Sequence, residues 1–118
     1  MQYNLNLNLT ISRSDVYFKK IKYTFDVTNI YNNNLLSKIY RIESSILDKY
    51  LGNKIKSKRF VIYDTLKNGI IKIFPNNLTN LSNYTGINNN TDCNFVLKIS
   101  GMWENVSEVG LTYKLTTR

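Results

Sequence analysis

Histidine is absent from this 118-residue chain, and cysteine, proline and tryptophan occur once each, as Cys93, Pro75 and Trp103. Each shortage closes off some chemistry. Without an imidazole, neither a Ser-His-Asp nor a Cys-His nucleophile can be built, and no histidine-ligated metal can be held. A lone thiol makes neither a zinc site nor an intramolecular disulfide, and its use fits a reducing, intracellular compartment. The five glycines are scattered and fall in no GxxxxGK or GxGxxG arrangement, so no phosphate loop is expected. Asp15, Asp26, Glu43, Asp48, Asp64, Asp92, Glu104 and Glu108 are the only acids, and no two are spaced as a catalytic dyad or a magnesium site. No apolar run approaches the ~20 residues a membrane-spanning helix needs. Met1-Gln2-Tyr3-Asn4-Leu5 has neither the basic start nor the apolar stretch of a secretion signal. The expectation is a protein that is not an enzyme and uses no metal, cofactor or membrane.

Cations, by contrast, are plentiful. Sixteen Lys and Arg face eight Asp and Glu, a net charge of +8 that favours polyanionic partners. Asparagine is also abundant, with runs at Asn32-Asn33-Asn34 and Asn88-Asn89-Asn90, as an AT-rich coding sequence would give. Apparent glycosylation acceptors such as Asn8 and Asn105 are then compositional. The apolar share of 42% is that of an ordinary globular chain, and the length suits a single domain spanning 1–118.

Hydrophobic periodicity supplies the elements. Tyr3, Leu5, Leu7, Leu9 and Ile11 alternate with polar residues, which predicts a strand with one apolar face. Ser12 to Asp15 reads as a turn. Ile21, Tyr23, Phe25 and Val27 form the apolar face of a second strand, with a bulge expected near Lys19. From an N-cap at Asn34 the period becomes helical, through Leu35, Leu36, Ile39, Ile42, Ile46, Leu47, Tyr50 and Leu51 to a C-cap at Gly52. Lys38, Arg41, Ser45 and Lys49 line the other side of that helix. Phe60 to Tyr63 reads as a short strand, and Asn68-Gly69 as a turn into a strand at Ile70 to Phe74. A long polar loop covers residues 76–93, and a hairpin runs from Phe95 to Leu115. The fold class is α+β: an antiparallel sheet, or a partly closed barrel like the oligonucleotide-binding fold, of about six strands with one amphipathic helix at 34–51.

Two stretches interleave cations with aromatics, Tyr17 to Tyr23 and Lys54 to Tyr63. Single-stranded nucleic acid is held by this combination, in which cations follow phosphates and flat side chains stack on bases. Lys19, Lys20, Lys22, Lys54, Lys56, Lys58 and Arg59 are the expected phosphate contacts, with Phe18 and Trp103 as stacking partners. The competing reading of the aromatics is core packing, and Trp103 falls on the core register of its strand. Folding alone gives no reason to concentrate four cations at Lys54 to Arg59.

The segment from Phe95 to Glu104, with Gly110 to Leu115, resembles the closing hairpin of small proteins encoded by nucleocytoplasmic large DNA viruses. Arg41 to Tyr50 and Leu66 to Phe74 are similar to the middle of the same proteins. That resemblance implies a viral origin and a role in binding single-stranded DNA, in the host cytoplasm or the virion. Two functions are therefore expected to compete: a single-stranded nucleic-acid binder, DNA above all, with little sequence preference, or a structural component of a homo-oligomer or larger assembly such as a virion.

Overall fold

The computed structural model describes residues 2–17, 19–74 and 91–117, and of Thr91 the backbone alone. Its elements run β1 (Tyr3–Tyr17), β2 (Lys20–Phe25), α1 (Ile30–Leu51), β3 (Ser57–Lys58), α2 (Val61–Leu66), β4 (Ile70–Ile73), β5 (Thr91–Glu104) and β6 (Glu108–Thr117). The six strands form one sheet in the order β3-β6-β5-β1-β2-β4. All neighbours are antiparallel except β3, which lies parallel to the start of β6. The sheet curls into half a barrel, the second of the two α+β arrangements expected, with two helices rather than one packed on its inner side. None of the described helices is long and apolar enough to cross a membrane.

The alternation read from β1 decides which way the sheet faces. Leu7, Leu9 and Ile11 are buried, and they meet Ile21, Tyr23, Phe25, Phe95, Leu97 and Ile99 from the neighbouring strands. Tyr23 and Phe95 pack edge to face with centroids 5.0 Å apart, the arrangement an aromatic quadrupole prefers. Leu36, Ile39 and Leu47 of α1 close this core from above.

Four local expectations need correction. Ser12 to Asp15 is not a turn: β1 continues to Tyr17, with a register shift between Ile11 and Arg13. Nor is there a bulge near Lys19: the chain reverses there, where φ is 62° and Tyr17 pairs with Lys20. Helix α1 begins at Ile30 rather than near Asn34, because the Asn29 carboxamide accepts the Tyr31 and Asn32 amides. The side chain of Asn32 is buried and acts as a spare peptide. Its oxygen accepts the Thr10 amide at 2.9 Å, while its NH2 donates to the carbonyls of Thr10 and Asp26. Finally, Phe60 to Tyr63 opens a second helix, α2, not a strand. No side chain of its own caps α2. Glu43, fully buried in the middle of α1, accepts the Ile62 and Tyr63 amides at 3.0 Å each.

The turn at Asn68-Gly69 is as expected, and it needs its glycine. Gly69 has φ 77°, and a Cβ there would lie 2.6 Å from the Phe25 carbonyl oxygen. Phe18 and residues 75–90, which include most of the Asn-rich loop, lie outside the described residues.

Candidate nucleic-acid interface

Where the excess charge sits depends on what the acids are already doing. All eight are engaged within the chain. Asp15 pairs with Arg13, Asp48 with Lys58, Asp64 with Lys67, Glu108 with Arg59, and Glu104 with both Lys54 and Lys56. Asp26 accepts from Thr28 and Asp92 from Thr10, while Glu43 caps α2. Among the described residues, no carboxylate lies within salt-bridge distance of Lys19, Lys20, Lys22, Lys72, Lys98 or Lys114, nor of Lys38, Arg41 or Lys49 on α1.

Five of these cations share one surface. In a strand, residues two apart point the same way, so the buried residues define the outer face by exclusion. Lys98 stands between buried Leu97 and Ile99, Lys72 between Ile71 and Ile73, and Lys22 between Ile21 and Tyr23. Pairing then sets Lys98 directly opposite Lys114, and Lys22 directly opposite Lys72. Like charges facing each other across a sheet are destabilising. Asn4 pairs with Lys98 and Asp15 with Lys22, so the two lysine pairs sit near opposite ends of β1, roughly 35 Å apart along the strand at ~3.3 Å per residue. Asn6 and Asn8 stand exposed between them.

An aromatic ring stands on the same face beyond each pair, Tyr17 two positions past the partner of Lys22 and Trp103 opposite Gly110, four positions before Lys114. Tyr17 is 56% exposed, and the Lys20 ammonium lies 5.6 Å from its ring centre. At the other end, Trp103 lies on the outer face rather than on the core register. A register shift between Ile99 and Gly101 is the cause: one extra residue turns every later side chain over. Met102 and Glu104 point inward in its place, opposite Leu111 and Val109. The indole covers Gly110 so closely that a Cβ there would come within 2.3 Å of the ring.

No protein-family model, curated protein or solved structure matches this chain.

The basic run at Lys54 to Arg59 has a structural task that its sequence does not reveal. Gly52, at φ 53°, ends α1 and releases a strap toward the start of β6. There the Ser57 amide donates to the Ser107 carbonyl and the Arg59 amide to that of Val109. Glu104 anchors the strap: its carboxylate accepts the Lys56 ammonium, the Tyr50 hydroxyl at 2.6 Å and the Lys54 ammonium at 3.1 Å. Those donors, Lys56 foremost, then Tyr50 and Lys54, hold its pKa at about 2, below the ordinary 4.5. Folded pKa below unfolded means a contribution that is complete above about pH 4.5 and lost as the pH falls toward 2. In calorimetric scans, the Tm gap between the wild-type chain and Glu104→Gln should be steady from neutrality to about pH 5 and close near pH 2. A gap of constant size down to pH 2 would show that the carboxylate is not anchored.

Of the residues singled out from sequence, Lys20, Lys22 and Trp103 thus share the outer face, and Lys19 lies exposed in the turn beside it. Lys54, Lys56, Lys58 and Arg59 lie on the strap with carboxylate partners. Phe18 is outside the described residues. Sequence reasoning missed Tyr17, Lys72, Lys98 and Lys114 as site residues. For the three lysines the signal was present, since each interrupts a run of core residues at an outward position.

Proposed function

We propose that this protein binds single-stranded nucleic acid across the outer face of its sheet, holding the backbone with lysines and stacking bases at the two ends. The observation that carries this reading is the pairing of Lys98 with Lys114 and of Lys22 with Lys72, none with a carboxylate within salt-bridge distance among the described residues, on a face that carries outward aromatic rings beyond both pairs. Folding is opposed by such pairs, whereas a polyanion relieves them. The curl of the sheet argues for a single strand. Duplex DNA, with a persistence length of ~50 nm, touches a convex surface only briefly, and a flexible strand can follow it. Lysines are the charged donors that this reading places on the strand, so contacts to the backbone dominate and sequence preference is weak.

Fluorescence titration with an oligonucleotide of about 16 nucleotides, near the upper site size of comparable single domains, tests the proposal. Four phosphate contacts on a single strand give a log-log salt slope of about −3, at ~0.7 per contact. Trp103 emission should change on binding, because a stacked base meets the indole. A slope near zero, or no binding at low salt, would overturn the reading. Self-assembly without nucleic acid would favour the structural role instead.

A further inference from the structure

We propose that the groove between α1 and the concave side of the sheet binds one long-chain fatty acid, with its carboxylate at Arg41 and Lys38. This site lies across the sheet from the lysine pairs and is independent of them. The groove holds about 720 Å³, inside the ~300–1,000 Å³ range of small-molecule sites and suited to one acyl chain rather than a two-chain lipid. Leu5, Ile42, Ile46, Ile99, Met102 and Leu111 line it. Several of these are only half-buried by the chain itself, and Met102 remains 42% exposed. The apolar wall is therefore left partly wet in the isolated molecule.

The rim decides the chemistry of the occupant. Lys38, Arg41 and Lys49 stand along it, with Ser45 between, and no carboxylate lines the groove. Among the described residues none of the three cations has a carboxylate within salt-bridge distance. Lys38 and Arg41 are one helical turn apart, and Lys49 lies about 12 Å beyond Arg41 along the axis. The adjacent pair thus marks the head-group end. A guanidinium matches a carboxylate with two parallel hydrogen bonds, and the ammonium adds a point charge. The ligand read from this arrangement is an anionic head on a single apolar tail.

Displacement of a fluorescent fatty-acid analogue by palmitate, below its micelle concentration and on the intact chain, tests the proposal. Saturable one-to-one binding is expected, and laurate, four methylenes shorter, should bind at least tenfold more weakly because each buried methylene is worth about fourfold. Lys38→Glu with Arg41→Glu should weaken palmitate at least tenfold, and Met102→Trp should do the same by filling the groove. Ser45→Trp, on the exposed rim, supplies a second blocking variant should Met102→Trp unfold. Met102→Trp and Ser45→Trp, which leave the charge unchanged, should keep the oligonucleotide affinity of the wild type, which separates this site from the outer face. Absence of saturable uptake, equal binding of hexadecanol, indifference to the charge reversal, or preference for an acidic amphipathic peptide would each overturn it.

Discussion

Replacing Glu43 with alanine should lower stability by about 3–5 kcal/mol, because two buried amides lose a charged acceptor worth ~1.5–3 kcal/mol each. For a domain of this size that is a fall in Tm of roughly 10–20 °C. Ile62 and Tyr63 open α2 with no cap from their own segment, so their amides depend on a side chain almost 20 residues upstream. Glu43→Gln keeps one acceptor but turns an NH2 toward the other amide, and should lose about half as much. Burial pushes the Glu43 carboxyl above its ordinary value, against the Ile62 and Tyr63 amides that pull it down. A raised folded pKa means stability that is full below the unfolded value and declines as pH rises through the folded one, opposite in sign to Glu104. Hydrogen exchange at Ile62 and Tyr63 should accelerate in the alanine variant. A Tm within about 3 °C of wild type would show that α2 is held by other means.

The second large effect is on binding. Changing Lys22, Lys72, Lys98 and Lys114 together to Gln should weaken single-stranded oligonucleotide binding by about two to three orders of magnitude at 0.1 M salt. That figure takes ~0.7 log units per contact per decade of salt, with 1 M as the point where the electrostatic term vanishes. The salt slope should collapse toward zero, and Tm should hold or rise once the opposed pairs are gone. Changing Lys54, Lys56, Lys58 and Arg59 to Gln removes the same charge, from +8 to +4 (8 − 4 = 4), and so controls for net charge. That variant should lose Tm, since its cations secure the strap to Asp48, Glu104 and Glu108, while keeping most of the slope. The opposite pattern would return the site to the basic run.

Much of the architecture was legible because it is local. The alternation of β1 and of the closing hairpin, and the apolar stripe of α1, each show in a short window. The failures share a cause: partners far away in sequence. Glu43 interrupts the stripe Ile39-Glu43-Leu47, a buried charge that signals a distant donor without naming it, and the donor proved to be α2. The basic run looked unexplained only because its acids lie on α1, on β5 and at the start of β6. Trp103 was assigned to the wrong face because a one-residue shift in strand pairing leaves no mark in hydropathy. At the site, outward lysines were legible one by one, but their opposition across strands required the register.

The place of β1 in the sheet also governs how the chain is made. β1 is paired on one edge by β2, which follows at once, and on the other by β5, so that Tyr3 meets Ile99. At ~5–20 residues per second, about 5–20 s separate the synthesis of those two residues. Throughout that interval Tyr3 to Leu9 has an unpaired edge, the surface on which nascent chains aggregate. Closing so large a loop also places folding on the slow side for a domain of this size, in the millisecond-to-second range of non-local sheets. The polar row Asn4, Asn6 and Asn8 is the one part of that strand already suited to water while it waits. High-level expression should therefore depend on chaperones that hold extended apolar strands, and slower translation ahead of β5 should lower the soluble yield.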